Sequence, residues 1–503
     1  MLLVNDIKLS VDSNEDKLQT KIEKLLHAKI NSYEIKKKSL DARKELLYVY
    51  SVIVDVDNED KYVSNKIKKY IKTDLNPPHI NTNKTVCIVG YGPSGIFSSY
   101  RLVQAGFKVI VFEKGKRINE RVKDVEKFFK EGILDEDSNV QFGEGGAGTF
   151  SDAKLTTRIK NQYIDYILDV FVKHGCKQSI KYEHHPHVGT DEIRKVIKNI
   201  TDYLIENGCE FHFSEEVTDF ILDDSRCIKK VVTKKGEYAC DYLLLGIGHS
   251  AYNTIVKLQE IGVYIEPKDI AIGFRVEHPQ SLIDTRQTNN MIEEANEYLL
   301  RYKGDKGVYS FCMCPGGLVV PAMSDKNTIV TNGMSYSKRD SGIANSAILI
   351  QVPMSEFNDG YIYLKTIESK AYAYSNSYKA LAQNIKDFMN NELNELIFPS
   401  TYCLGTVLYD YNNFFSKKDL RIIKEALLDF DKKIPGFIEH GIMVGPETRS
   451  SCPVRIKRDE FGQSINTKNL YPMGEGAGYG GGIMSCCLDG IRIANIIIND
   501  GNI

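Results

Sequence analysis

TVCIVGYGPSGIFSSYRLVQAGFKVIVFEKG, residues Thr85 to Gly115, places a glycine-rich turn between two short apolar runs. The runs from Thr85 to Val89 and from Lys108 to Phe112 predict buried strands, and the segment that ends near Ala105 predicts a helix between them. This order is typical of a βαβ unit of the dinucleotide-binding kind.

The glycines of the turn have GxGxxG spacing. Gly90 allows the tight turn, Gly92 lets the backbone approach a pyrophosphate, and Gly95 lets the helix pack closely on the strand. The pyrophosphate would lie at the helix N-terminus, where unpaired N–H groups favour an anion. Glu113 ends the second strand, where it can accept hydrogen bonds from ribose hydroxyls, and its charge disfavours a 2′-phosphate. The unit therefore predicts a dinucleotide other than NADP, with a chance glycine-rich turn as the alternative.

The other end of the chain distinguishes FAD from NAD. Leu470 to Gly482 reads LYPMGEGAGYGGG and precedes a predicted helix. The apolar face of that helix consists of Met484, Cys487, Leu488, Ile491, Ala494 and Ile498. In many flavoproteins a Gly-acid pair such as Gly474-Glu475 accepts from a ribityl hydroxyl, and the helix N-terminus lies near the flavin pyrimidine edge. We therefore predict FAD, although a glycine-rich turn ahead of a core helix would leave the same pattern.

Long motifs elsewhere carry a family resemblance. They are FGEGGAGTFSDAKLTTR (142–158), PHVGTD (186–191), FCMCPGG (311–317), TNGMS (331–335), ETRSSCPVRI (447–456) and GEGAGYGGG (474–482). With these motifs the chain resembles the bacterial family of uncharacterised FAD-dependent dehydrogenases over nearly its whole length. Ala153 stands where that family usually has glycine, which indicates that a left-handed backbone is not essential there. Tyr252-Asn253 replaces an Arg-Asp pair in the family's GHSARDT motif.

Composition agrees with a large cytoplasmic protein. The chain has 503 residues, of which 42% are hydrophobic, and a formal net charge of −2, which argues against capture by nucleic acid or by an anionic membrane. No apolar run has the length of a membrane-spanning helix, and the start of the chain does not have the pattern of a signal peptide. The eleven cysteines are scattered, so we predict neither a disulfide framework nor a metal site.

We predict an α/β protein with a Rossmann-like FAD-binding domain that resembles the glutathione-reductase type. The FAD-binding domain would comprise residues 81–270 and 441–503, with an inserted α+β substrate domain at 271–440 and a small N-terminal α+β domain at 1–80. Within the FAD-binding domain, the pattern of Ile193 to Gly208 predicts a helix, and that of Cys209 to Asp241 predicts a β-meander. Gly246-x-Gly248 does not begin a second dinucleotide-binding unit, so any NAD(P)H donor, or a redox-protein donor, would bind transiently.

These elements predict the residues that bind the cofactor. They are Gly90, Gly92, Pro93, Ser94, Gly95, Glu113, Lys114, Gly145, Gly146, Ala147, Gly148, Thr149, Ser151, Asp152, Gly248, Gly474, Glu475, Gly476, Ala477, Gly481, Gly482 and Ile483.

Three residues are candidates for catalysis. Lys154, in a loop with Asp152 and Arg158, could stabilise the anion of reduced flavin, or it could contact phosphate or form a loop salt bridge. His187 could donate a proton, although it precedes a helix that Thr190 or Asp191 could cap. Arg449 could anchor a substrate carboxylate, or it could hold two domains together by an ion pair.

Other residues allow two interpretations. Glu447, Arg449 and Arg455 form the densest late charge cluster, and Glu277-His278-Pro279 is equally ambiguous. Cys312 and Cys314 could relay electrons as a dithiol, but packing explains them as well. His184 and His185 are a weak ligand set beside His187. A basic cluster of the N-terminal domain could contact RNA or form a solvated face; it consists of Lys36, Lys37, Lys38, Arg43 and Lys44.

These observations predict an FAD-dependent oxidoreductase that acts on an unidentified small-molecule substrate, without membrane or nucleic-acid partners. A flavin-dependent tRNA-modifying enzyme is one alternative. A flavin redox or electron-transfer protein without a small substrate is the other.

Overall fold

A computed structural model describes residues 1–41, 45–183, 185–288 and 295–500. The strands are β1 (Leu2–Ser10), β2 (Ser32–Asp41), β3 (Leu47–Asp55), β4 (Ile67–Lys69), β5 (Thr85–Val89), β6 (Lys108–Glu113), β7 (Glu210–Phe213), β8 (Val217–Leu222), β9 (Ile228–Thr233), β10 (Glu237–Ala239), β11 (Tyr242–Leu245), β12 (Ile265–Pro267), β13 (Ile270–Pro279), β14 (Arg301–Lys303), β15 (Gly307–Cys314), β16 (Leu318–Pro321), β17 (Thr331–Met334), β18 (Ile343–Val352), β19 (Ala380–Asn384), β20 (Thr406–Leu408), β21 (Ile442–Glu447), β22 (Val454–Ile456) and β23 (Leu470–Pro472). The helices are α1 (Lys17–Leu26), α2 (Pro93–Gln104), α3 (Ile118–Glu131), α4 (Tyr163–Lys173), α5 (Thr190–Glu206), α6 (Tyr252–Glu260), α7 (Gln280–Thr288), α8 (Gly360–Ser375), α9 (Ile385–Asn390), α10 (Lys417–Lys433) and α11 (Ile483–Asp500).

The chain divides into two compact units. The N-terminal unit comprises Met1–Asn76 and Lys154–His187, and the large unit comprises Pro77–Ala153 and Val188–Ile503. The sequence prediction placed a boundary near residue 80 but did not assign the segment 154–187 to the N-terminal unit.

The N-terminal unit is an antiparallel sheet with the order β2-β3-β1-β4, covered by α1. Leu18 and Ile22 of α1 share one buried cluster with Leu2 and Val4 of β1. Lys181, in the segment that contains α4, forms an ion pair with Glu34 of β2 at 2.8 Å. The alternation of buried residues in β1 matches a sheet with one buried face.

The large unit contains a five-stranded sheet with the order β23-β11-β5-β6-β7, in which every pair is parallel. Except for the edge strand β7, its strands are largely buried, as expected for a parallel sheet covered by helices. The strands predicted at Thr85 to Val89 and from Lys108 are present as β5 and β6. The meander predicted over Cys209 to Asp241 is wrong for its first part, since β7 pairs in parallel with β6. The crossover segment that ends in α5 makes this parallel pairing possible. Only β8, β9 and β10 form the meander.

A second sheet of the large unit has seven strands in the order β14-β15-β18-β13-β21-β19-β20. Its pairs are antiparallel except for β19 with β20. Phe274 of β13 and Phe430 of α10 lie in one buried cluster with Ile348 of β18, so the helices pack on this sheet. In the described part of the chain, no helix combines the length and the apolar character that crossing a membrane requires.

Candidate dinucleotide site

The turn between β5 and α2 requires two of its three glycines for its own packing. Gly90 has φ +92°, and a Cβ there would lie 2.4 Å from the carbonyl oxygen of Gly246. A Cβ on Gly95 would lie 2.2 Å from the carbonyl oxygen of Gly90. Gly92 differs, because its Cβ would meet only the Cα of Gly146, at an ordinary 3.8 Å. Gly92 is the N-cap of α2 and no side chain caps that helix, so the helix N-terminus has the N–H donors that an anion site requires.

Glu113 lies beside this turn at the carboxyl end of β6, with 5% of its surface exposed. Its carboxylate accepts hydrogen bonds from the backbone N–H groups of Tyr91, Gly115 and Gly143, each at 2.9 Å. An ionised carboxylate has about four acceptor positions, so one remains for a ligand hydroxyl. The neighbouring Lys114 forms an ion pair with Asp137 at 3.1 Å.

A cavity of about 310 Å³ opens at the carboxyl ends of β5 and β6. Gly90, Glu113, Phe142, Ile247 and Tyr252 are among the residues that line it. Ligands of open parallel sheets bind outside the carboxyl ends of the strands. The predicted ribose acceptor therefore faces the cavity that this rule selects.

The loop that follows α3 is held by Arg121, a buried residue that the sequence analysis missed. Its guanidinium donates to the carbonyl oxygens of Asn139 at 2.8 Å and Glu144 at 2.7 Å, and to Thr149 Oγ1 at 2.7 Å. Burial lowers the pKa of Arg121 to about 9. A single arginine on a helix carries no sequence signal for this role, because most of its acceptors are backbone carbonyls, which every residue has.

The glycines of this loop touch the β5–α2 turn. A Cβ on Gly146 would lie 2.9 Å from the Cα of Gly92, and Gly145 donates its N–H to the carbonyl oxygen of Tyr91 at 2.9 Å. A Cβ on Gly148 would lie 3.0 Å from Ile483, the first residue of α11. The predicted residues of the loop thus connect the two ends of the predicted site.

The segment between β23 and α11 completes the predicted site at the carboxyl edge of the parallel sheet. Gly474 donates its N–H to Asp489 of α11 at 2.8 Å, and a Cβ on Gly474 would lie 2.6 Å from Ser94 Oγ of α2. In contrast, a Cβ on Gly248, Gly481 or Gly482 would meet no atom within 4 Å. Gly474 is therefore packed against the protein, whereas Gly248, Gly481 and Gly482 border open space that a cofactor can occupy and that side chains at these positions would fill. The residues present therefore fit a dinucleotide.

Glu475 supplies the acid of the Gly-acid pair. Burial raises the pKa of its carboxyl to about 7; Lys268 lowers it and Cys312 raises it. Near neutral pH this group can hold or release a proton, which suits a position beside a group that changes charge on reduction.

Ala153 corrects one expectation. It adopts φ +52°, so the left-handed backbone is present although the glycine is not. The residue is 1% exposed, and its N–H and carbonyl groups are bonded to Ser151 and Val188. These contacts offset the roughly 1–2 kcal/mol that this conformation costs a residue with a Cβ.

Two predicted catalytic residues belong to the N-terminal unit. Lys154 and His187 pair with each other in an antiparallel bridge, and their predicted roles toward flavin stay predictions. Asp152 lies in the large unit, where it accepts from Arg339 Nε at 3.1 Å.

The capping expectation for α5 is wrong. Its N-cap is Gly189, with no side-chain cap. Thr190 donates to the carbonyl oxygen of Thr149 at 2.8 Å, and Asp191 accepts from the N–H of Ser337 at 2.8 Å. Both side chains tie the helix start to neighbouring loops instead.

The late charge cluster separates into distinct ion pairs. Arg449 donates to Glu368 Oε2 and Asp325 Oδ2, each at 2.9 Å. Glu447 pairs with Arg275 at 3.3 Å, and burial raises the pKa of Glu447 to about 7. The guanidinium of Arg449 is thus engaged by two carboxylates, which favours its ion-pair interpretation.

Arg455 lies 4.0 Å from Glu266, so it joins neither pair of that cluster. Glu277 accepts from the N–H of Thr401 at 3.0 Å, and His278 is within 2.7 Å of the carbonyl oxygen of Phe437. These buried contacts give both residues a structural role in β13.

Some sequence expectations fall outside the described residues: those for His184, Arg43 and Lys44. Over residues 1–41, 45–183, 185–288 and 295–500, no group of three or more His, Cys, Asp or Glu side chains is arranged to hold a metal ion.

Two family models match the chain. One, described as FAD-dependent protein, C-terminal domain-like, matches residues 269–450, and a domain of unknown function, DUF8436, matches residues 1–57. An uncharacterized protein of Clostridium beijerinckii is 39% identical, and the match covers 98% of this chain and 98% of the relative.

Solved structures resemble the chain more distantly. L-proline dehydrogenase from P. horikoshii is 13% identical, with a TM-score of 0.36 over 83% of this chain and 94% of that one. Glycine oxidase from Bacillus cereus is 11% identical, with a TM-score of 0.32 over 83% of this chain and 95% of that one. TM-scores of this size do not establish a shared fold.

Proposed function

This chain belongs to a family of FAD-dependent proteins, and from that premise we propose that it is an oxidoreductase that exchanges hydride or electrons between FAD and a small-molecule substrate. The predicted family and the predicted FAD cofactor are both confirmed by these matches. The reaction and its substrate class are the proposal.

One observation carries the proposal. Segments far apart in the chain, at Gly90–Gly95, Glu113, 145–149 and Gly474–Glu475, converge on the carboxyl edge of one parallel sheet. The sheet and the β8–β10 meander support assignment to the glutathione-reductase type of FAD domain. The bound flavin supplies the electron transfer.

The chain's own residues hold and orient that cofactor. The first N–H groups of α2 bind the pyrophosphate, and Glu113 binds the adenosine ribose. Glu475 binds the flavin half and holds a proton there when the pH is below about 7. Arg121 fixes the loop that covers the turn.

Electrons reach the cofactor without a second nucleotide domain. Within the described ranges, the sheet that contains β5 is the only one of more than two strands whose pairs are all parallel. A nicotinamide donor would therefore bind transiently in the substrate-side cleft.

The tRNA alternative has less support. Two lysines of the basic cluster form ion pairs within the N-terminal unit that offset their charges: Lys36 pairs with Asp165, and Lys38 pairs with Glu15. Neutralised lysines contribute little to phosphate binding.

The test begins with the purified protein, which should be yellow and should release FAD, not FMN, on denaturation. Anaerobic screening of NADH, NADPH and small metabolites should then find compounds that bleach the bound flavin. A protein that releases no flavin, or whose flavin only another protein reduces, would contradict the proposal.

A further inference from the structure

Two cysteines of β15 lie in an irregular part of that strand. The pairing of β15 with β18 shifts between Phe311 and Cys314, and Cys312 within this bulge has φ +45°. Cys314 is fully buried, whereas Cys312 is partly exposed. The Cys314 thiol donates to the carbonyl oxygen of Cys312 at 3.3 Å, and neither cysteine forms a disulfide. Bulges and strained residues of this kind cluster at functional sites.

The surroundings of the pair are polar and charged. Arg275, fully buried, donates to the carbonyl oxygen of Cys312 at 2.8 Å and contacts Cys314 Sγ at 3.6 Å. Asn345, paired with Cys314 across the sheet, is fully buried, and its Nδ2 has no hydrogen-bond partner in the described part of the chain. A buried amide donor without a partner is costly in a site that serves packing alone.

The pair also interacts electrostatically with two predicted cofactor residues, Glu475 and Asp152. Cys312 is close enough to Glu475 to raise the pKa of its carboxyl, although burial is the larger cause. The hydrogen bond to Cys312, followed by burial, raises the pKa of the Cys314 thiol, and Asp152 raises it further. Glu475 and Asp152 lie far apart in the sequence.

We propose that Cys312 and Cys314 are a redox pair that forms a reversible disulfide by exchanging two electrons with bound FAD. This inference rests on the proposed function. In the oxidative direction two S–H bonds break and one S–S bond forms. The two electrons and two protons pass to FAD, which becomes FADH2, and the reverse reaction restores both thiols.

The test counts electrons in the FAD-containing protein. The protein is oxidised with ferricyanide, desalted anaerobically and titrated with dithionite while the flavin absorbance is followed. The wild-type protein should consume twice the reductant that its flavin alone requires. Cys312→Ser and Cys314→Ser should each consume only the flavin's share. The control Cys403→Ser changes an exposed cysteine and should behave as wild type.

Mass spectrometry gives a second readout that does not depend on activity. The tryptic peptide 307–326 contains Cys312 and Cys314 and no other cysteine. After oxidation it should resist alkylation and weigh two hydrogens less, whereas after reduction both thiols should be alkylated. Cys87 and Cys240 are a buried, hydrogen-bonded pair in the same digest and should stay reduced.

The outcomes separate the two proposals. An FAD-containing protein that takes up only the flavin's share of electrons, with peptide 307–326 fully alkylated, would overturn the redox pair alone. A protein without FAD would overturn the proposed function and this inference with it.

Discussion

Gly92 is the glycine of the β5–α2 turn that the protein's own packing does not require. The variant Gly92→Val should therefore fold but lose FAD, because its side chain occupies the approach of the pyrophosphate. FAD released per protein on denaturation measures this, and circular dichroism checks the fold. The control Gly236→Val changes a turn glycine in open space and should retain FAD. Stoichiometric FAD in folded Gly92→Val would contradict the placement of the pyrophosphate.

Glu113 has a structural role in addition to its predicted binding role. Glu113→Ala removes three hydrogen bonds from backbone N–H groups to a carboxylate, each worth roughly 1.5–3 kcal/mol. We expect both a lower free energy of unfolding of the apoprotein and weaker FAD binding, with an unchanged visible flavin spectrum. Denaturant titration and fluorescence titration with FAD measure the two effects. Unchanged FAD affinity would remove Glu113 from the site, and Glu237→Ala at the exposed end of β10 serves as the control.

Glu475 makes stability depend on pH. Its folded pKa of about 7 exceeds the value of about 4.3 in an unfolded chain. The stabilisation from the neutral carboxyl is complete below about pH 4.3 and is lost as the pH rises through about 7. Glu475→Gln should therefore flatten the fall of apoprotein stability between about pH 4.3 and 7, as measured by urea unfolding.

Part of that slope should remain, because burial also raises the pKa of Glu447 to about 7. The exposed Glu460→Gln is the control and should not change the slope. An identical slope in Glu475→Gln would show that its carboxyl is solvated in the folded protein.

At the scale of elements, the contact of α2 with α11 joins the two halves of the site. Gly490 of α11 faces α2, and a Cβ there would lie 2.3 Å from the carbonyl oxygen of Ser94. Gly490→Val should cost about 1–3 kcal/mol through overpacking and should weaken FAD by displacing the start of α2. Urea unfolding and FAD titration measure this, with the exposed Asn499→Val on the same helix as control. Wild-type FAD affinity in Gly490→Val would contradict the coupling of these helices.

The elements nearest the motif followed their sequence patterns closely. β5, α2 and β6 lie within one or two residues of their predicted bounds, because short apolar runs and glycines determine them locally. The sequence pattern predicts the wrong sheet for β7, since four residues that alternate between polar and aromatic types (EFHF) fit either a meander or a parallel edge. Its partner β6 is distant in sequence, and local periodicity does not encode that pairing.

At the scale of the whole molecule, the large unit has one dinucleotide turn in its described residues and no second nucleotide domain. We expect NADH and NADPH alone to reduce the flavin slowly and with weak affinity, and a substrate or redox partner to accelerate reduction. Anaerobic stopped-flow absorbance measures these rates. Rapid, saturable reduction by NADPH alone at micromolar concentration would refute this mode of electron entry.

The sequence by itself determined the cofactor class, and it predicts the residues of the phosphate and ribose contacts. Glycine spacing, an acid at a strand end and a helix N-terminus are local features, and their chemistry follows from residue type and order. Only the tertiary structure decided which charged residues meet. Arg449 pairs with Glu368, and Arg275 contacts Cys314 Sγ. These contacts join residues far apart in the chain, and the packing of strands and helices, which no single segment encodes, brings them together.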